Sequence, residues 1–295
     1  MSSAPDRLLR RLEWKLGRRL DGRLQGAYRT VWHGTGLDFT DLRLYSTEDD
    51  VRHIDWNVTA RLDEPYVRQY TEDRELTAWL VIDRSASMRF GQGAGKESTA
   101  TELAVSLARL ISRGGNRVGA ILYDNGGHQV VPPRGGRDQV LRLTRELLRP
   151  TTQGKPGRTT DLAAMLRLAA STTSRRRSLV FVMSDFIGEA DWDRPLAMLA
   201  HRHEVVVIRV VDPAEVELPD VGVILVEDAE TGEQLLVDTS DPLLRGRLAH
   251  QAAAREAEVA DGMRRAGVGA QRVTTDQDLL GTLIDLVRGS GRGRR

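Results

Sequence analysis

The sequence predicts an α/β protein built on a doubly wound, mostly parallel sheet. Two patterns carry that reading. Continuous apolar runs of strand length, at residues 78–82 and 179–183, are what strands covered on both faces require. Between and after such runs come longer segments of helical period, and strands alternating with helices imply a parallel sheet with helices on both sides. Of 295 residues, 40% are hydrophobic and 29% charged, so a sizeable core can form and wholesale disorder is excluded.

The elements follow in order. Residues 4–24 place Leu8, Leu9, Leu12, Leu16 and Leu20 at three- and four-residue spacing, the mark of an amphipathic helix. Residues 25–75 are mixed, with Gly34, Gly36 and many charges but no long period, and read as short strands and loops. From residue 77 the pattern is regular. A strand at 78–82 leads to a helix at about 98–112. A strand at 117–123 then pairs across the turn at Asn125-Gly126-Gly127 with 128–131. Helices at about 137–148 and 161–174 precede a strand at 178–184, a helix at 193–201 and a strand at 204–211. Residues 222–226 and 234–238 flank Glu230-Thr231-Gly232 as a hairpin. A long helix over 242–265, a strand at 271–274 and a helix over 277–287 complete the chain. The expected organisation is an N-terminal region over 1–75, an α/β domain over 76–290 and a basic tail over 291–295, with no internal repeat.

Composition narrows the function. Forty-three Lys and Arg against 42 Asp and Glu leave a net charge of +1, which argues against a surface built for nucleic acid. The absence of cysteine excludes disulfides, thiol nucleophiles and Cys-ligated metals. No apolar run approaches the roughly 18–20 residues that span a bilayer, and the Arg-rich start lacks the apolar segment of a signal peptide, so a soluble, cytoplasmic protein is expected. Residues 1–36 hold eight Lys or Arg against three acids, and Arg288, Arg292, Arg294 and Arg295 add to the other end. Such ends suit an anionic partner or a membrane surface. A solvated helix face and a frayed tail account for them more simply, and no membrane contact is expected.

In open α/β sheets, ligands sit beyond the carboxyl ends of the strands. Two predicted strands end in acids there. The first runs into Asp83-Arg84-Ser85-Ala86-Ser87 and the second into Ser184-Asp185, while Arg158-Thr159-Thr160-Asp161 opens a helix. Asp83, Ser85, Ser87, Thr160 and Asp185 supply only hard oxygen donors, the set that suits Mg²⁺ or Mn²⁺ with several waters retained. Each residue taken singly also suits helix capping. Their joint placement at strand ends favours the metal site.

Asp83-x-Ser85-x-Ser87, with Thr160 and Asp185 downstream, resembles the metal-ion-dependent adhesion site (MIDAS) of von Willebrand factor A-type domains, whose Rossmann-like fold matches residues 76–290. Upstream, Gly36-Leu37-Asp38-Phe39, Asp41-Leu42-Arg43-Leu44-Tyr45, Asp49-Asp50-Val51-Arg52-His53-Ile54-Asp55-Trp56 and Thr59-Ala60-Arg61 resemble the signature of the bacterial family called domain of unknown function 58. That family often has Pro-Gly where Thr47-Glu48 stand here, and many members carry transmembrane helices ahead of the signature. The resemblance implies direct metal ligation by Ser85 and Ser87. It implies ligation by Thr160, chosen over Thr159 because it precedes Asp161, directly or through water. Asp83 and Asp185 would hold waters and the serine hydroxyls. It further implies a MoxR-type AAA+ ATPase as partner, and an open metal position filled by an acidic residue of a client protein. The expected function is therefore a non-enzymatic, metal-dependent interaction module, an adaptor or co-chaperone. The alternative is a metal-dependent phosphoester hydrolase using the same oxygen site.

Other motifs are set aside. In Gly91-Gln92-Gly93-Ala94-Gly95-Lys96-Glu97, Phe90 and Glu97 stand where a phosphate-binding loop needs Gly and Ser or Thr, so no nucleotide site is expected and the segment reads as a loop beside the metal site. An aspartyl-nucleophile phosphatase would want Asp where Ser85 stands. The six histidines show no ligand spacing, and Trp14, Trp32, Trp56, Trp79 and Trp192 read as packing residues. Arg43, Asp49, Asp50, Arg52, Asp55 and Arg61 read as an internal Arg–carboxylate network, or alternatively as a docking surface for the ATPase.

Overall fold

The structure, a computed structural model, describes residues 37–46, 49–72, 76–89, 95–124, 126–150, 160–173, 176–188, 191–227 and 234–278 and positions 281 and 283. The helix expected over 4–24, the turn residues 230–232 and the basic tail lie outside the described residues.

Strands β1 (Leu37–Leu44) and β2 (Tyr66–Glu72) form an antiparallel pair. Between them lies helix α1 (Trp56–Leu62), where the sequence pattern predicts only short strands and loops. Its start is fixed by Asp55, whose side chain accepts from the amides of Asn57 and Val58. None of its residues is buried, and a seven-residue helix offers too little period to read. Trp56 is 68% exposed and so is not a packing residue, in contrast to the buried Trp79 and Trp192. Some of the charged residues expected to form a network pair with one another. Arg43 pairs with Asp49 through both terminal nitrogens, and Asp50 accepts from the Arg52 amide.

The remaining chain builds a six-stranded sheet in the order β10-β7-β6-β3-β4-β5. Its strands are β3 (Thr77–Asp83), β4 (Arg117–Asp124), β5 (Gly127–Arg134), β6 (Leu179–Ser184), β7 (Glu204–Val211) and β10 (Ala270–Thr274). All pairs are parallel except β4 with β5. The exception is an edge strand, where Pro132 and Pro133 remove no ladder donor that a neighbour needs.

Helices cover both faces, as alternation along β3 requires. Ala78, Leu80 and Ile82 pack with Leu103, Leu107 and Ile111 of α2 (Lys96–Arg113) and Leu143 of α3 (Arg137–Leu147). Trp79 and Val81 face the other way. They join Leu162, Met165 and Leu166 of α4 (Leu162–Thr172), Leu196 of α5 (Asp193–Arg202) and Val259 and Met263 of α7 (Pro242–Ala266). Each fully buried Leu, Ile or Met contributes about 1.5–3 kcal/mol. His203 belongs to this scaffold: its Nδ1 accepts the Ser178 amide and its Nε2 meets Thr173 Oγ1.

A one-turn helix α6 (Pro213–Val216) follows β7, and β8 (Val223–Glu227) pairs with β9 (Gln234–Asp238) as the expected hairpin. The final helix starts later than predicted. Gln277 lies in the turn after β10, while Gly281 and Leu283 are helical.

Candidate metal centre

The chain leaves β3 toward β4 and β5 on one side, then returns to lay β6, β7 and β10 on the other. The direction of winding therefore reverses between β3 and β6, and their carboxyl ends flank the crevice where such sheets bind ligands. Parallel register, with Ile82 opposite Met183, brings Asp83 beside Ser184.

Asp83 and Asp185 are each 1% exposed. Asp83 accepts from the Ser184 hydroxyl at 2.7 Å and from the Ser85 amide at 2.9 Å. Ser85 Oγ and Ser87 Oγ lie 3.0 Å apart and are joined by a hydrogen bond. Arg84, between these residues, turns elsewhere: it donates to Glu97 of α2 at 2.9 Å and to the carbonyl of Arg149 at 2.6 Å. The loop is thus braced by its even residue while its odd residues carry the hydroxyls. Asp185 accepts from the Ile187 amide at 3.0 Å, and its carbonyl accepts from Arg209 Nε at 3.1 Å. Neither carboxylate caps a helix, so the capping explanation fails for both.

Thr160 is wholly buried, and its hydroxyl has no partner among the described residues. It lies against the loop that follows Asp185, because a Cβ on Gly188 would stand 2.7 Å from the Thr160 carbonyl. Asp161 beside it caps α4 by accepting from the Ala164 amide at 2.7 Å. All five predicted residues therefore lie at carboxyl ends of β3 and β6 or against the β6 loop.

Burial, then the nearby Asp185 carboxylate, pushes the Asp83 carboxyl from 3.8 up to about 6, against the lowering effect of its Ser184 and Ser85 hydrogen bonds. Two buried carboxylates, two paired serine hydroxyls and an orphaned threonine hydroxyl fit a hard divalent ion in donor type and charge. Among the described residues no cluster of three or more His, Asp and Glu could hold a metal, so an ion here would depend on the hydroxyls.

Sequence reasoning missed four contributors. Ser184 orients Asp83. Arg209, buried at the end of β7, ties the Asp185 backbone to Glu256 of α7. Lys96, the first residue of α2 and fully buried, donates to Asp185 Oδ2 at 2.7 Å and also pairs with Glu215 of α6. Lys96 had one readable signal. A cation in a helix's first turn opposes the macrodipole and calls for an acidic partner. Glu215 had another, since Asp212-x-x-Glu215 is a capping box and the structure forms both of its bonds.

The profile described as "Protein of unknown function DUF58" matches residues 41–258. "Uncharacterized protein Rv1480" of Mycobacterium tuberculosis is 40% identical over 286 residues, covering 97% of this chain and 89% of its own length. Among solved structures, the conserved hypothetical protein BatB from Bacteroides thetaiotaomicron is similar over 74% of this chain and 99% of its own, with TM-score 0.48 and 15% identity. A von Willebrand factor type A structure from Catenulispora acidiphila covers 77% of this chain and 44% of its own, with TM-score 0.42 and 9% identity. Among the described residues no helix is long and apolar enough to cross a membrane. With three-quarters of its length matched by the profile and a 40% identical relative along nearly all of it, the chain belongs to the DUF58 family.

Proposed function

We propose that the chain is a non-enzymatic interaction module that binds an acidic side chain of a partner through Mg²⁺ or Mn²⁺ held at Asp83, Ser85, Ser87, Thr160 and Asp185. The observation that carries this reading is the buried Thr160 hydroxyl left without a partner beside the Asp185 loop. A buried polar group in that state costs about 1–3 kcal/mol, and a ligand that accepts its lone pair removes the cost. The closeness of two buried carboxylates supports the reading, because a cation between them offsets both repulsion and burial.

Within this module, Asp83 fixes the loop by accepting from Ser85 and Ser184, and Arg84 anchors the same loop to α2 and the end of α3. Ser85 and Ser87 present hydroxyl oxygens side by side. A divalent ion held there would supply Lewis acidity toward a carboxylate from outside. The family resemblance supports a MoxR-type AAA+ ATPase as the partner and an acidic client as the cargo, with the chain as a cytoplasmic adaptor.

The test is retention of this protein on an immobilised MoxR-type ATPase from the same genome. Retention in Mg²⁺, lost in chelator and in the Ser85→Ala/Ser87→Ala variant while that variant's unfolding midpoint is unchanged, is the expected result. Equal retention in all three conditions contradicts the proposal.

A further inference from the structure

The geometry points to Lys96 as a resident cation of the metal centre, one that keeps the empty site folded and weakens its hold on divalent ions; this rests on the metal-site reading above. Its ammonium is wholly enclosed and bonds Asp185 Oδ2 at 2.7 Å, on one of the two carboxylates assigned to the ion. From the same atom it pairs with Glu215, whose carboxylate also accepts from the Asp212 amide at 3.3 Å in the capping box of α6. Asp212 in turn accepts from Thr275 Oγ1 at 3.0 Å, just beyond β10. One lysine thus links the end of β6 to the segments that follow β7 and β10.

Two consequences follow from charge. A protein that buries Asp83 and Asp185 together must neutralise part of that charge before any ion arrives, and Lys96 does so from within the chain. It cannot neutralise everything. Asp83, Asp185 and Glu215 place three acidic side chains around its one positive charge, so a divalent ion can balance what remains. The same ammonium repels that ion and shares the Asp185 oxygens with it. The site is therefore tuned to bind its ion weakly and reversibly, and an acidic side chain from a partner adds the missing attraction. Lys96 also stands where the dipole of α2 disfavours a cation, so its place at the helix start is held by the carboxylates.

Calorimetric titration with Mn²⁺ alone, on the full chain and its variants, tests this. Lys96→Gln keeps hydrogen-bond donors toward Asp185 and removes the charge; Lys96→Met removes both. Expected is Mn²⁺ binding at least about tenfold tighter than in the natural chain, abolished when Ser85→Ala/Ser87→Ala is added. Thermal unfolding gives a second reading. In chelator the Lys96 variants melt lower than the natural chain, and Mn²⁺ raises their midpoint by more than it raises the natural one. Glu215→Gln provides an arm that spares the lysine. Asp185 then becomes the remaining one of these two acidic partners, and Mn²⁺ binding weakens by about threefold or more. If the natural chain binds Mn²⁺ and the Lys96 variants bind it equally or more weakly, or Glu215→Gln binds it as tightly or more tightly, the role of Lys96 is refuted while the metal site stands. If neither the natural chain nor any variant binds Mn²⁺, the metal site itself is refuted, and this role with it.

Discussion

Asp83 makes the stability of the metal-free protein depend on pH in a direction opposite to that of most carboxylates. In the folded chain its carboxyl is raised from 3.8 to about 6, first by burial and then by Asp185. A carboxyl raised on folding holds its proton more tightly in the folded state, so its favourable contribution is complete below about pH 4. It declines as pH rises from about 4 to about 6 and is absent above about 7. At about 1.4 kcal/mol per pH unit, the difference between pH 4 and pH 8 is about 2 kcal/mol. Asp83→Asn removes this titration and keeps the size of the side chain. Any fixed cost of the altered bonds to Ser184 and Ser85 is the same at every pH, so only the change with pH matters. Urea unfolding of both proteins in chelator, at intervals from pH 4 to pH 8, measures it. The stability of Asp83→Asn relative to the natural chain should rise by about 2 kcal/mol across that range, with most of the change between about pH 4 and pH 6. Curves that stay parallel from pH 4 to pH 8 would show that Asp83 titrates normally, and the argument for a charge-strained site would fail.

Two further substitutions probe how the site is supported. Gly262→Ala would place a Cβ 2.5 Å from Trp192 Cη2, on a ring that is 5% exposed and stacked edge-on against Phe186 at 4.9 Å; overpacking of about 1–3 kcal/mol should exceed the roughly 1 kcal/mol gained in helix propensity, so the urea midpoint should fall rather than rise. Gly188→Ala combines a φ of +155° with a Cβ 2.7 Å from the Thr160 carbonyl, so it should cost about 1–3 kcal/mol and weaken Mn²⁺ binding; unchanged Mn²⁺ affinity would remove Thr160 from the site.

Much of this was readable in the sequence, for physical reasons that differ from element to element. A strand buried on both faces must be apolar throughout, so the run at 78–82 declared itself and the acid that ends it stood out. Asp83, Ser85, Ser87 and Asp185 were legible because the turn after a parallel strand faces a fixed side of the sheet. Helix α1 was not legible, since it buries nothing and only its Asp55 cap marks it. Lys96 was hidden by distance along the chain: its partners lie 89 and 119 residues away, and no local pattern encodes such a pair. Trp56 shows the converse limit, because residue type alone could not place it at the surface.

In the proposed site, Asp83, Ser85, Ser87, Thr160 and Asp185 together hold one divalent cation. Electron paramagnetic resonance of Mn²⁺ tests it most directly, since the signal of the free aqueous ion falls as protein binds it. The natural chain should remove one Mn²⁺ per molecule from solution, and Ser85→Ala/Ser87→Ala should remove none while still folding. Undiminished Mn²⁺ uptake by that variant, or no uptake by the natural chain, would contradict the claim.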